Sequence, residues 1–332
     1  MKICAYVHYW PPMRYVGGEL TTAALLESLV QRGCKVDVYA RYVTQPYVRN
    51  GVRVMNAGFL GPVVSRDYDL LITHPEIRTM AMQHADPRVP YVAIVHNTRP
   101  ETMRSLERQP PWMTIANSQW TASKIPEAAS RNLHVVRPPS MYRATPTPGE
   151  YVTLINMSVN KGVGMFTHLA QSQPLLPFLG VIGGYGAQQT IQPPNVLVGS
   201  HQGNMGLIYS MTKVLIVPSL IEAYGSVVAE AMQHGVPVIA SDLPGIREAG
   251  GDAAVYVGPE DSVGWAHAVA ELMGTPELWQ ERSDASFERG KVLYERSKED
   301  LTAWGRLIMD GRCECGLVGR DDECQNPCGL KV

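Results

Sequence analysis

The stretch KVLIVPSLIEAYGSVVAEAMQHGVPVIASD (213–242) decides the fold. KVLIVPS is a short apolar run that ends in Pro-Ser, and it reads as a strand. SVVAEAMQHG has helical apolar spacing, and VPVIASD is a second strand-like run. A strand, a loop, a helix and another strand in that order make a parallel βαβ unit. Its loop and first helical turns, IEAYGSVVAE (221–230), hold two glutamates, Glu222 and Glu230, on either side of a Tyr-Gly-Ser turn.

Outward from this unit the same alternation runs in both directions. YVTLINM, LPFLGVIGG, NVLVGS, KVLIVPS, VPVIASD and AAVYVG are strands of one series. KICAYVHYW, CKVDVYARY, DLLITH, YVAIVHN, WMTIANS and LHVVRPP are strands of an earlier series, with the helix GGELTTAALLESLVQRG after the first. Between the series lies SMYRATPTPGE, Pro-rich and unpatterned, which reads as a linker. The expectation is an α/β chain of two Rossmann-like domains. Residues 1–145 are the first, residues 146–310 the second with C-terminal helices, and residues 311–332 a Cys-rich tail.

Bulk properties narrow the class. The chain has 332 residues, 18% charged and 45% hydrophobic, enough for two cores and too apolar for a disordered chain. No apolar run reaches the ~18 residues of a membrane span, and MKICAYVHYWPP lacks the h-region of a secretory signal. A cytoplasmic protein is expected. The net charge of −2 conceals a basic half, 17 basic against 10 acidic residues in 1–145, and an acidic half, 12 against 21 in 146–332. The first half therefore suits an anionic partner, or its arginines merely solubilise its surface. Cys4 and Cys34 sit in apolar runs and read as core thiols. Cys313, Cys315, Cys324 and Cys328 crowd the tail, where a structural zinc site is one reading of their spacing.

Ligands of open α/β sheets bind outside the carboxyl ends of the strands. Chemistry is therefore sought in loops 9–19, 74–78, 96–99, 156–162, 183–187, 199–204, 219–226 and 241–246. Gly225 and Ser226 open a helix after a strand, where unpaired amides and the dipole suit a phosphate. Carboxylates repel phosphate but accept two hydrogen bonds from a sugar diol. Glu222 before the turn and Glu230 beyond it can each face one sugar, and a diphosphate between two sugars is a nucleotide sugar. An acid in the first turns of a helix also stabilises it by ~0.3–1 kcal/mol without any ligand.

PSLIEAYGSVVAEAMQHGVPVIASDLPGIREA resembles the E-x7-E region of retaining GT-B glycosyltransferases of family 4, the group 1 glycosyltransferases. GGEL resembles that family's glycine loop, VAIVHN its histidine segment, ANSQWTASKI its helix entry, and LINMSVNKGVGMF its Lys-Gly phosphate segment. The resemblance covers roughly residues 1–300 and leaves out the cysteine tail. It implies a GT-B fold, with two Rossmann-like domains facing a central cleft. It also implies that Glu222 binds the donor sugar and Glu230 the ribose. The amides of Gly225, Ser226 and Val227 would hold the diphosphate and Lys161 would neutralise it. Gly17 and Gly18 would wall the phosphate site, and His96 would sit near the donor sugar. The family usually has arginine five residues before that lysine; here the position is Asn156.

By the same resemblance the chain is a retaining transferase of the hexosyl or wider glycosyl class, using a UDP- or GDP-sugar. No carboxylate nucleophile stands out and no DxD metal clamp, so front-face attack without a catalytic metal is expected. A sugar-nucleotide epimerase shares the architecture but needs no acceptor, and a non-catalytic nucleotide-sugar-binding protein is compatible with Asn156. The acceptor is read only as something anionic: a lipid carrier, a phosphorylated glycan or a nucleic acid base. Arg14, in WPPMRYVGG, is the candidate acceptor contact.

Overall fold

The computed structural model describes residues 1–12, 17–57, 67–77, 88–139, 149–200 and 205–310. The expected linker lies largely outside the described residues, as do Arg14 and the four tail cysteines. The chain divides into two compact α/β units, Met1–Arg137 with the segment from Lys298 onward, and Pro138–Ser297.

The first unit contains β1 (Lys2–Val7), β2 (Lys35–Ala40), β3 (Tyr47–Arg49), β4 (Val52–Asn56), β5 (Leu70–Thr73), β6 (Tyr91–Val95), β7 (Met113–Ala116) and β8 (Leu133–Val135). They form one sheet in the order β3-β4-β2-β1-β5-β6-β7-β8. Every pairing is parallel except β3 with β4. That pair is a hairpin absent from the sequence expectation; Asn50 and Gly51 turn it, both at positive φ (49° and 80°). Ile3, Val38, Leu70, Ile72, Val92 and Ile115 fill the core against Leu25, Leu26 and Leu29 of the helix Gly17–Gln31.

The second unit contains β9 (Tyr151–Ile155), β10 (Phe178–Ile182), β11 (Val196–Ser200), β12 (Thr212–Val217), β13 (Val238–Ser241) and β14 (Val255–Val257). The order is β11-β10-β9-β12-β13-β14, with every pairing parallel. The chain starts in the middle at β9, builds outward to β11, then crosses to β12 and builds the other way. The reversal leaves a crevice outside the carboxyl ends of β9 and β12, the place where doubly wound sheets bind ligands. The corresponding reversal of the first sheet lies between β1 and β5.

The structure sets the boundaries differently from the sequence expectation. The first unit ends at Arg137 and takes back the end of the long helix Pro276–Asp310. The cause is local. Trp304 is fully buried in the first core and its indole donates to the carbonyl of Leu25 (3.1 Å). Asp300 accepts from both the backbone N–H and the guanidinium of Arg137 (3.0 and 3.1 Å). A 35-residue helix is about 50 Å long, enough to leave one core and enter another.

Candidate functional site

In the second unit β9 runs into Asn156, whose φ is 72°. A turn at Val159–Lys161 follows, then Gly162 at φ 82°, which begins the helix Val163–Ser172. A Cβ on Gly162 would lie 2.0 Å from the carbonyl oxygen of Pro218. Only glycine fits there, and it lets the loop after β9 lie against the loop after β12. The amide of Leu220 donates to the carbonyl of Asn160 (3.0 Å) and ties the two loops together.

This seam brings Lys161 and Glu222 into an ion pair, with side chains only 18% and 14% exposed. Burial opposes the ammonium charge, but Glu222, with Tyr185, holds the Lys161 pKa above its ordinary value. The sequence reading assigns these two residues to different parts of one ligand; the structure joins them to each other. Beside them Gly225, at φ 83°, starts the helix Ser226–Gln233 and, as a glycine, offers its amides no side-chain cap. A Cβ at Gly225 would stand 3.7 Å from Cγ of Glu222, so that side chain leans over the helix start.

Glu230 follows in the same helix. The Tyr209 hydroxyl donates to its Oε2 (2.8 Å). Burial pushes the Glu230 carboxyl up to about 6, against the opposing effect of that hydrogen bond. His234 stacks on Tyr209 with centroids 4.8 Å apart, and its Nδ1 lies 2.8 Å from the carbonyl of Glu230. Asn156 is buried, and its Oδ1 accepts from Nε2 of Gln188 (2.9 Å); Oε1 of Gln188 in turn accepts from the amide of Gly183 (2.9 Å). A Cβ on Gly183 would fall 2.3 Å from Cγ of Asn156. The residue that stands where the family has a cation is thus a neutral amide held by neighbours.

In the first unit Gly17 and Gly18 open the helix that follows β1, and His96 follows β6. The two segments meet: a Cβ on Gly18 would lie 3.2 Å from Cδ2 of His96. The Thr22 hydroxyl lies 2.9 Å from Nε2 of His74 and 3.3 Å from Nε2 of His96. The rings pack edge to face with centroids 4.9 Å apart. Burial lowers both pKa values, that of His96 well below the usual range with His74 adding to the effect. Both rings are neutral at pH 7.

The structure therefore groups Asn156, Lys161, Glu222, Gly225, Ser226, Val227 and Glu230 on the second unit, and Gly17, Gly18 and His96 on the first. Tyr209, Gln188, Thr22 and His74 escape the sequence reading. His74 alone carried a signal, as the last residue of DLLITH at a strand's carboxyl end. Tyr209 and Thr22 sit inside apolar helical patterns and look like core.

Comparison with known proteins bears on the fold and on the second unit. Residues 159–275 match the family model described as glycosyl transferases group 1. The O-antigen chain mannosyltransferase RfbU of Salmonella typhimurium is 35% identical over 71 residues, 21% of this chain and 20% of that protein. The D-inositol 3-phosphate glycosyltransferase of Corynebacterium diphtheriae is 31% identical over 128 residues, 37% of this chain and 28% of that one. This chain thus spans less than a third of either relative. Sucrose-phosphate synthase of Thermosynechococcus elongatus has a TM-score of 0.76 at 16% identity, with 93% of this chain and 99% of that one covered. HepE of Anabaena, solved with UDP-glucose, has a TM-score of 0.72 at 16% identity, covering 93% and 98%. The fold is GT-B, and residues 159–275 carry a group 1 glycosyltransferase domain.

No helix among the described residues is long and apolar enough to cross a membrane.

Proposed function

We propose that this protein transfers a sugar from a nucleotide-diphosphate sugar to an acceptor hydroxyl, with retention at the anomeric carbon. The observation that carries the reading is the Lys161–Glu222 pair beside the uncapped, Gly225-led helix start, at the switch point of the second sheet. A helix N-terminus and an ammonium suit a diphosphate. Glu222 suits the hydroxyls of the donor sugar, and Glu230, further along the helix, those of the ribose.

In the reaction the acceptor oxygen bonds to the anomeric carbon as the bond from that carbon to the phosphate oxygen breaks. The acceptor's proton passes to the departing phosphate. The chain's part is to orient the two partners and to stabilise charge on the diphosphate. In the free chain Lys161 pairs with Glu222; when the donor binds, the ammonium turns to the phosphate and leaves Glu222 to the sugar hydroxyls. Asn156 adds no charge, which leaves Lys161 and the helix amides to do this. An epimerase would need no acceptor, and nothing in the site favours it.

UDP is the first base to try, because HepE was solved with UDP-glucose. The test is a thermal-shift panel of UDP, GDP, ADP and their sugars on wild type and Glu230→Ala. One diphosphate that stabilises wild type, by ~2.7 kcal/mol at 100 times its Kd, and hardly moves the variant is the expected result. No shift with any nucleotide would overturn the reading.

A further inference from the structure

The hydroxyl of Thr22 lies at the centre of three contacts. It donates back to the carbonyl of Gly18 (2.9 Å) and stands within hydrogen-bond distance of Nε2 of both His74 and His96. A hydroxyl has one proton and two lone pairs. Its proton is used on Gly18, whose carbonyl can only accept. Both imidazoles are neutral, so each carries one N–H, and each Nε2 must supply the proton that Thr22 accepts. We infer that Thr22 and His74 are positioning residues that hold His96 in its Nε2–H tautomer, with its Nδ1 presented as a hydrogen-bond acceptor at the carboxyl end of β6.

The ring's surroundings agree. Gly18 lies against Cδ2 and Cγ of His96 (3.2 and 3.3 Å from an added Cβ), and Thr22 takes Nε2. The edge left is Nδ1 and Cε1. Nδ1 has no hydrogen-bond partner among the described residues, and His96 as a whole is only partly buried. His74 contributes in two ways: its ring packs perpendicular to that of His96, and its own Nε2 occupies the second lone pair of Thr22. The hydroxyl then has no capacity left to turn and donate to His96. In a glycosyltransferase, the reading on which this role in catalysis rests, the unpaired Nδ1 accepts from a sugar or acceptor hydroxyl and cannot donate to a phosphate.

The test is nitrogen-15 NMR of the full chain with labelled histidine at neutral pH. The chain has nine histidines, and spectra of His74→Asn and His96→Asn assign the two that matter. The expected result is that both are neutral with the proton on Nε2, that Thr22→Ser keeps this pattern, and that Thr22→Val converts His96 to a mixture of tautomers. A proton on Nδ1 of His96 in wild type, an imidazolium, or an unchanged pattern in Thr22→Val would overturn the inference. The wild-type spectrum decides the main point without any variant. UDP binding to wild type, measured separately by calorimetry, reports on the donor reading, so the two ideas fail independently.

Discussion

Removing Glu222 should destabilise the free protein yet leave its hold on a nucleotide diphosphate undiminished. The reason is that Glu222 and the diphosphate compete for the same ammonium. In the free chain Glu222 is the carboxylate that faces Lys161, whose side chain is only 18% exposed. Stranding a charged group with so little water costs ~1–3 kcal/mol; we take about 2. For a unit of roughly 160 residues, Pro138–Ser297, each kcal/mol moves Tm by ~2–4 °C. Glu222→Ala should therefore melt ~4–8 °C below wild type. UDP then supplies the missing counter-charge and meets no competing carboxylate. The UDP-induced rise in Tm should equal or exceed that of wild type, although sugar transfer or donor hydrolysis falls at least ~100-fold. Lys161→Ala should also lose activity on that scale, but its UDP-induced rise should shrink. Losing one hydrogen bond from a charged group, ~1.5–3 kcal/mol, weakens Kd by roughly 10- to 100-fold. The assay is thermal melting with and without UDP on the three proteins. A smaller UDP-induced rise in Glu222→Ala than in Lys161→Ala would refute the reasoning, because the carboxylate would then be a ligand of the diphosphate and not its competitor.

Other expectations follow from the same unit. Glu230 titrates near 6 in the fold against an ordinary 4.5, so the folded state holds the proton more tightly. Its contribution is fully present below pH ~4.5 and is lost as pH rises through ~6, about 2 kcal/mol in all; urea denaturation of wild type and Glu230→Gln across that window should show the slope only in wild type. UDP-glucose affinity should weaken as pH falls below ~6, because ribose hydroxyls donate best to the ionised carboxylate, and calorimetry at pH 7 and pH 5 measures this. Tyr209→Phe removes the hydrogen bond that stabilises that carboxylate, so it should cost ~1–2 kcal/mol in urea denaturation at pH 7 and move the Glu230 midpoint upward. Gly162→Ala combines a left-handed backbone with a 2.0 Å approach to Pro218, and a loss of roughly 3 kcal/mol or more in the same assay is expected.

How far the sequence could be read depended on the range of each signal. Strand–helix alternation is local and periodic, so VLIVPS, VPVIASD and DLLITH could be identified as strands from their own residues. The βα junctions followed, since Gly225 and the Pro218-Ser219 pair mark a strand handing over to a helix. The hairpin at Tyr47–Asn56 was missed although its Asn50-Gly51 turn is a strong local signal; its flanking strands are too short to show a period. What local pattern cannot carry is which loop touches which. That Lys161 would meet Glu222, 61 residues away, depends on the order β9-β12 in the sheet and on Gly162 admitting Pro218. The return of the final helix to the first unit depends on Trp304, which alternates with polar residues like any amphipathic helix side chain and does not name the core it enters.

Asn156 gives these observations a common direction. Where the family's usual arginine would bring a second cation, this chain has an amide at φ 72°, tied to Gln188 and covered by Gly183. Lys161 and Glu222 cancel each other, and Glu230, once ionised, adds a negative charge. The described residues of this site therefore present little net positive charge to an incoming diphosphate. Attraction at long range is weak, and binding energy must come from short-range contacts: the helix amides behind Gly225 and the ammonium of Lys161 at close quarters. Such contacts are screened by salt far less than exposed charges. A site built this way should bind its nucleotide with little dependence on ionic strength. Restoring the cation with Asn156→Arg would not simply add affinity, since a guanidinium in that left-handed, covered position displaces Gln188 and collides with the loop at Gly183. The substitution is expected to lower stability in urea denaturation and to leave UDP affinity unimproved in calorimetry; a tenfold tighter Kd with an intact fold would show instead that the amide is merely tolerated at an anion site kept open for arginine.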